Sequence, residues 1–280
     1  MAGLEIGERF AGYVLEEVVG DGELSIVYRA RHPFGEETVA LKVFRDDAAD
    51  ELDVRRRFAD DVHARRIAHP HVIRVLDAGE EGGRSFLVTQ FVGGPTLRQV
   101  IADLGRLEPA LAATVAGQVS EALDTAHATG LVHRNVAPEN IVLAPDLTHA
   151  HAYLSDFALS RGAVKDRVTQ IGTMIGSGAC VSPEMVIGTQ DPDARADVYS
   201  LACVLFECLS GRLAFPAENE VMGIFARISQ PPPSILEAAP DLDPRWEGVL
   251  TEAMATDPDD RTSTAGELGR AARAVAGVAV

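Results

Sequence analysis

With 280 residues, of which 46% are hydrophobic, the chain is long enough to bury a core in one large domain or in two lobes. A formal net charge of -17 leaves no overall basic face for a phosphate backbone, so we do not expect nucleic acid as a partner. The three cysteines form no CxxC pair, which argues against a disulfide framework or a zinc site.

The first ninety residues alternate in the manner of short β-strands. YVLEEVVG, SIVYRAR and ETVALKVF predict three antiparallel strands, with turns at Asp21-Gly22 and around Pro33-Phe34-Gly35. The composition of residues 50–68 predicts a helix that His69-Pro70 ends. VIRVLDAG and SFLVTQFV supply two more strands, so residues 1–92 are predicted to form a five-stranded antiparallel sheet plus one helix.

The remaining residues, 93–280, are predicted to be mainly helical. Ala110–Thr129 carries apolar residues at four-residue spacing, and Ala196–Ser210 has them at the positions of a deeply buried helix. A further helix is predicted in residues 262–280. The fold class is therefore α+β, with a strand-rich first lobe and a helical second lobe.

Two features of the first lobe point to phosphate. Gly20-Asp21-Gly22 joins the first two strands, although Asp-Gly between strands is on its own a common hairpin signal. Lys42, one of two lysines in the chain, lies on the third strand. A glycine hairpin lets backbone N–H groups approach phosphate closely, and a lysine on the neighbouring strand neutralises phosphate oxygens. The combination is more specific than either half.

The order of motifs along the chain is GxG, VALK, HRNVAPEN, DFA, SPE and DVYSLA. This order resembles that of the eukaryotic-like Ser/Thr protein kinases of bacteria, over about residues 13–275. The resemblance implies a two-lobed protein kinase fold, with residues 1–92 as the N-terminal lobe. It also implies ATP as a ligand, with Mg²⁺ or Mn²⁺ as its metal.

The resemblance assigns the nucleotide-binding positions. They are Gly20, Gly22, Val27, Ala40, Lys42, Thr89, Gln90, Val92 and Val142. Lys42 matches the lysine that pairs with the α- and β-phosphates, and Thr89 matches the back of the adenine pocket. Ala40 and Val142 are expected to sandwich the adenine. Asn140 and Asp156 match the two metal ligands, and their oxygen donors suit a hard cation.

The departures from the family pattern concentrate on catalysis. Asn135 replaces the aspartate that accepts the proton of the substrate hydroxyl, and Ala137 replaces a lysine that contacts the transferring phosphoryl group. Ala158 replaces the glycine of the DFG triplet, which restricts the backbone there. Asp60 takes the place of the glutamate that normally pairs with the strand lysine, and it is one methylene shorter.

Positions that support the fold are retained. Glu184 matches the glutamate that in the family pairs with an arginine late in the chain, and Arg261 fits that arginine. Asp197 matches the residue that caps the catalytic loop. We therefore predict a pseudokinase that binds ATP and acts as a regulatory or scaffolding module. Two alternatives stay open: a slow but active kinase, since phosphoryl transfer depends largely on positioning, and an interaction module that binds no nucleotide.

The expected partner besides nucleotide is a protein, either an active Ser/Thr kinase or a phosphothreonine-reading domain. Thr169 and Thr173, in the counterpart of the activation segment, are the candidate phosphosites. No apolar run approaches the roughly 20 residues of a membrane span, and the N-terminus lacks a signal-peptide core. We expect a cytoplasmic location, on its own or as the intracellular part of a larger membrane protein.

Overall fold

The computed structural model describes residues 3–22, 25–32, 34–35, 37–45, 67–146, 150–157, 178–188, 191–217 and 220–279. Most of the helix predicted over residues 50–68 falls outside these ranges. So do four predicted site residues: Asp60, Ala158, Thr169 and Thr173. The described residues divide into two compact units, the first from residues 1–68 and 73–93 and the second from residues 69–72 and 94–280.

The first unit is built on an antiparallel sheet. Its strands are β1 (Arg9–Phe10), β2 (Tyr13–Asp21), β3 (Ser25–Arg31), β4 (Thr38–Phe44), β5 (Val75–Glu81) and β6 (Arg84–Gln90). They lie in the order β1-β2-β3-β4-β6-β5. Where the sequence predicted five strands, the described residues contain a sixth, β1. Ala11 and Gly12 both have positive φ and turn the chain back, so that Phe10 pairs with Tyr13.

The core of the first unit lies on one face of this sheet. Along β4, Val39, Leu41 and Val43 are buried, whereas Ala40 and Lys42, which alternate with them, are half-buried. Neighbouring strands add the rest of the core, which comprises Phe10, Leu15, Tyr28, Ala30, Phe86 and Val88. The period of two in a strand therefore places Ala40 and Lys42 on the face opposite this core cluster.

The second unit is mainly helical. Its described helices are α1 (Leu97–Leu104), α2 (Pro109–His127), α3 (Pro183–Ile187), α4 (Ala194–Ser210), α5 (Glu220–Ser229), α6 (Ile235–Ala238), α7 (Arg245–Ala253) and α8 (Ala265–Ala276). Two short antiparallel strands, β7 (Ile141–Leu143) and β8 (Ala152–Leu154), form a ribbon. None of the described helices has the length and hydrophobicity that a membrane crossing requires.

Helix α4 runs through the core of the second unit, and every residue from Ala196 to Leu209 is buried. Its N-cap is Asp193, which accepts a hydrogen bond from Arg195 N–H, and Gly211 ends it in a left-handed conformation. Helices α2 and α8 approach each other through glycines. A Cβ placed on Gly269 would overlap Ser120 and lie 3.1 Å from the Cα of Gly117. Small residues therefore set this helix packing.

The three cysteines are all buried in the second unit as free thiols. Burial raises the pKa of each, well above the ordinary value for Cys180 and to about 12 for Cys203. The pKa of Cys208 is raised for the same reason. Because the thiolate is the reactive form, these side chains behave as small apolar core residues.

Candidate functional site

Five of the candidate nucleotide residues of the first unit share one face of the sheet, whereas Gln90 pairs with Val39 on the core face. Val27 on β3 pairs with both Gly20 on β2 and Lys42 on β4. Ala40 on β4 pairs with Thr89 on β6. Directly paired residues point to the same side of a sheet, and so do residues two apart along a strand. The sequence assigned these positions separately, and the strand register brings them to the face opposite the core.

The hairpin between β2 and β3 carries the two glycines. Gly22 N–H donates to the carbonyl of Ser25 at 3.0 Å, so this N–H closes the turn. Arg45, directly after β4, donates from Nε to the Gly22 carbonyl at 3.2 Å and from Nη2 to Asp21 Oδ1 at 2.5 Å. The hairpin is thus held both by its own backbone and by a side chain from the next strand.

The segment assigned to adenine begins where β6 ends. The N–H of Gln90 donates to the carbonyl of Arg74 at 2.9 Å, which continues the pairing of β6 with the chain before β5. This N–H is therefore already bonded within the first unit. Val92, the next predicted nucleotide residue, lies beyond the end of β6 and is half-buried.

In the second unit, the buried carboxylate of Asp197 organises the loop before β7. Its Oδ2 accepts from the backbone N–H of His133 and from His127 Nε2, both at 2.7 Å. Its Oδ1 accepts from the N–H of Arg134 at 2.7 Å. Arg134 has φ +64°, a left-handed conformation that is unfavourable for a residue with a side chain. Charge-assisted hydrogen bonds from two successive N–H groups stabilise this turn.

The ring of His133 connects the same loop to the chain after β8. Its Nε2 donates to the carbonyl of Ser155 at 2.7 Å, and its Nδ1 accepts from the N–H of Asn135 at 3.2 Å. The ring stands edge-on to Phe157, with centroids 4.5 Å apart. Burial lowers the pKa of His133, against the opposing effect of Asp197. A neutral imidazole fits these bonds, because Nδ1 must remain an acceptor.

Asn140 and Asp156 are the candidate metal ligands. Asn140 Nδ2 donates to the carbonyl of Asn135 at 2.8 Å, which fixes the amide and identifies Oδ1 as its remaining donor atom to a metal. The Asn140 carbonyl accepts from Ser155 N–H at 2.9 Å and from Ser155 Oγ at 3.0 Å. Asp156 follows with φ +64°. An amide oxygen and a carboxylate are the oxygen donors that Mg²⁺ or Mn²⁺ prefers, so the residues fit such an ion.

The two residues predicted to replace catalytic groups, Asn135 and Ala137, lie in this same hydrogen-bonded loop. The N–H of Asn135 donates to His133 Nδ1, and its carbonyl accepts from Asn140 Nδ2. Both backbone groups of Asn135 are therefore hydrogen-bonded. Ala137 is wholly buried and precedes the 3₁₀ turn Pro138–Asn140. An uncharged amide and a methyl group therefore occupy an ordered loop. Val142 follows on β7, where it pairs with Tyr153 and forms a bridge to Thr96.

The structure also brings Glu184 and Arg261 together. The Arg261 guanidinium is wholly buried and meets both carboxylate oxygens, Nη1 to Oε1 at 2.9 Å and Nη2 to Oε2 at 3.1 Å. Its other bonds go to backbone carbonyls, those of Ala255 (3.0 Å), Arg195 (2.7 Å) and Thr256 (3.2 Å). The guanidinium carbon lies 5.1 Å from the ring centroid of Tyr199. The buried charge is thus both paired and hydrogen-bonded, as burial requires.

Three residues that hold the candidate site in place were not predicted from the sequence. His127 donates to Asp197 from the last turn of α2, Ser155 connects Asn140 to His133, and Arg45 holds the glycine hairpin. No motif marks them. An arginine just beyond the strand that carries Lys42, with an aspartate in the neighbouring turn, was the one available signal for Arg45.

The chain matches the family model "Protein kinase domain" over residues 13–271. Together with the sheet and helical units just described, this match shows that the chain belongs to the protein kinase family. Protein kinases generally use ATP and Mg²⁺.

The relatives are bacterial serine/threonine kinases. The chain is 34% identical over 268 residues to serine/threonine-protein kinase PknH of Mycobacterium bovis, covering 95% of this chain and 44% of that protein. It is 35% identical over 271 residues to PknD of Mycobacterium tuberculosis, covering 96% and 40%. It thus spans less than half the length of these relatives. The crystal structure of the Mycobacterium tuberculosis PknI kinase domain superimposes with a TM-score of 0.80 at 31% identity, covering 99% of this chain and 100% of that one.

Proposed function

We propose that the chain is a pseudokinase: a bacterial kinase domain that binds ATP, with Mg²⁺ or Mn²⁺, and acts as a regulatory or scaffolding module with little or no phosphoryl transfer. The observation that carries this proposal is the contrast within one loop. Asp197, His133 and Asn140 retain the hydrogen bonds that order it, while Asn135 and Ala137 supply neither a base nor a charge.

Nucleotide binding is supported by the chemistry of the retained side chains. Val27, Ala40 and Thr89 offer an apolar and half-buried surface for a base, and Lys42 on the same face offers a cation for phosphate oxygens. Asn140 and Asp156 would hold a divalent ion, which when bound neutralises phosphate charge. Binding only to the folded state must raise its apparent stability by mass action.

Catalysis is disfavoured by two independent losses. The amide of Asn135 can orient a hydroxyl but cannot take its proton, and general-base catalysis is worth about 10² to 10⁴ in rate. Ala137 presents a methyl group where a positive charge would stabilise the transferring phosphoryl group.

A slow but active kinase is the second candidate. It is favoured by the orientation of Asn140, whose amide donates to the carbonyl of Asn135. It is also favoured by the retention of Asp156, which directly follows Ser155, the residue whose N–H donates to the Asn140 carbonyl. Phosphoryl transfer depends largely on positioning and electrostatics, so this arrangement could support residual turnover. The curated relatives are themselves named as kinases.

Thermal melting with adenine nucleotides tests the binding part. We expect millimolar ATP or ADP, with Mg²⁺ or Mn²⁺, to raise Tm, and Lys42→Met to abolish most of this shift. Lys165→Met removes the only other lysine and is the charge-matched control. Absence of any shift in the unaltered protein would favour the interaction module that binds no nucleotide.

Transfer of labelled phosphate separates the two nucleotide-binding candidates. We expect no incorporation above background into the protein itself or into a generic Ser/Thr substrate. Turnover at an ordinary kinase rate of roughly 1 per second or more would refute the pseudokinase proposal.

The protein partner proposed from the sequence is tested separately. An active bacterial Ser/Thr kinase is expected to phosphorylate Thr169 or Thr173, and each phosphate adds about 1.5 to 2 negative charges that an arginine-lined phosphothreonine reader can bind. Mass spectrometry maps the sites. Modification confined to other residues, or unchanged reader binding in the Thr169→Ala, Thr173→Ala variant, would contradict this part.

A further inference from the structure

A single guanidinium holds the glycine hairpin at two points. Arg45 follows β4 directly and lies three residues beyond Lys42. Its Nη2 bonds the Asp21 carboxylate at 2.5 Å, and its Nε bonds the Gly22 carbonyl at 3.2 Å. One contact balances a charge and the other orients the backbone, so the two contacts together restrict the hairpin more than an ordinary surface ion pair does.

Asp21 lies where its negative charge would affect the binding of phosphate. Asp21 lies between the two glycines, and Gly20 is aligned through Val27 with Lys42 across three strands. The Asp21 side chain is 67% exposed, whereas Arg45 is 30% exposed. Without Arg45, the Asp21 carboxylate would lose the cation that pairs with it among the described residues, on the hairpin proposed to receive a polyphosphate. Its repulsion would grow with the charge of the ligand.

We propose that Arg45 is a positioning residue for nucleotide phosphates: it neutralises Asp21 and fixes the Gly22 carbonyl, and so sets how strongly affinity depends on phosphate number. This inference rests on the proposed nucleotide binding. Arg45 acts through Asp21 and the hairpin backbone rather than by contacting phosphate itself. Asp21 would then be tolerated in the hairpin only together with Arg45.

Affinities for adenosine, ADP and ATP in a double-mutant cycle test the charge part. We expect Arg45→Gln to weaken ATP by about tenfold or more, ADP by less and adenosine not measurably, because the unmasked charge acts on phosphate. Asp21→Asn should retain ATP affinity, and the double variant should recover most of what Arg45→Gln loses. Arg31→Gln removes an exposed arginine of the same unit that pairs with Glu16 and serves as the matched control.

Two results would overturn the charge part. One is an equal loss of adenosine and ATP affinity in Arg45→Gln, and the other is a double variant as weak as that single variant. High salt provides a further check, since screening should shrink the difference between ADP and ATP in Arg45→Gln.

Amide hydrogen exchange of the nucleotide-free protein tests the positioning part on its own. We expect Arg45→Gln to speed exchange at Gly22 and Ser25 and to leave the turn at Gly82-Gly83 unchanged. Unchanged exchange of the hairpin would overturn the positioning role. If the hairpin depends on Arg45 but the unaltered protein binds no nucleotide, the proposed function fails while the structural role of Arg45 stands.

Discussion

Arg261 and Glu184, 77 residues apart in the chain, form a two-point ion pair in the interior of the helical unit, with N–O distances of 2.9 and 3.1 Å. The pair joins the segment after the 3₁₀ turn Pro258–Asp260 to helix α3. The contact thereby fixes α3, which begins just after the 3₁₀ turn Gly178–Cys180, against the segment that carries Arg261.

Replacing Arg261 with glutamine should destabilise the protein strongly. The change leaves the Glu184 carboxylate, whose side chain is 15% exposed, without its partner, and breaking a buried pair in this way typically costs about 3 to 5 kcal/mol in free energy of unfolding. Urea denaturation followed by circular dichroism measures the loss. Arg245→Gln, which removes an arginine from an exposed pair with Asp243, is the control and should leave the midpoint nearly unchanged. Similar midpoints for the two variants would contradict the assignment.

Asp197→Asn should loosen the loop that carries Asn135. Three N–H donors converge on the two carboxylate oxygens, and an asparagine would present its own NH₂ group to one of them. We expect a loss of more than about 2 kcal/mol and faster amide exchange at residues 133–135. Asp241→Asn, at an exposed ion pair with Arg106, controls for the loss of charge. Unchanged exchange in the loop would show that Asp197 does not organise it.

Stability should fall as the pH drops below about 6.5. Burial lowers the pKa of His133 and is also the largest cause of the lowered pKa of His71. The unfolded chain therefore binds more protons, and stability is lost as the pH falls from the ordinary histidine pKa towards the folded value. Urea unfolding at pH 7.5 and 5.0 measures this dependence. His71→Gln should make it shallower, and exposed His32→Gln should not. A flat profile would contradict the prediction.

A pair of glycine substitutions tests the packing of α2 against α8. Gly269→Ala adds a methyl group that would overlap Ser120, so we expect a lower Tm. Gly248 in α7 is exposed with open space around it, and Gly248→Ala should stabilise by roughly 0.5 to 1 kcal/mol through helix propensity. Thermal melting compares them. Stabilisation of both variants would show that α2 and α8 can accommodate the added methyl group without a loss of stability.

Restoring the two groups that the family pattern predicts to be lost, at Asn135 and Ala137, should restore some transfer only when both are restored together. We expect Asn135→Asp alone to raise the rate of phosphate transfer by less than about tenfold, and the double variant with Ala137→Lys to raise it by about 10². Because Ala137 is wholly buried, the lysine must displace its neighbours, so the double variant should also melt at a lower temperature. Activity is therefore compared well below its Tm. Full activity from Asn135→Asp alone would show that the charge at 137 is dispensable.

Local sequence patterns predicted the longer strands and helices best. Strand β3 was predicted over the residues that form it, and α4 was predicted two residues short, because a strand of seven residues and a helix of 17 repeat their apolar period several times. Strand β1 has two residues and no period, so only its turn residues could have indicated it.

Side-chain pairings were predictable only where the family pattern supplied them. The contact of Glu184 with Arg261 was expected from that resemblance, whereas the contact of Arg45 with Asp21 was not. The second depends on strand register: Ser25 pairs with Phe44, which brings the β2–β3 hairpin to the end of β4, and the pairing of β2 with β3 shifts between Val18 and Gly20. Such shifts have no signature in composition or alternation.

The burial of all three thiols makes the chain convenient for fluorescence work. Cys180, Cys203 and Cys208 should react slowly with maleimides at neutral pH, because little thiolate forms when the pKa is raised. A cysteine introduced at Phe34, which is 93% exposed in the first unit, or at exposed Asp241 in the second would then be labelled selectively. Dyes at both sites would report energy transfer between the units as nucleotide is added, without prior removal of the native cysteines.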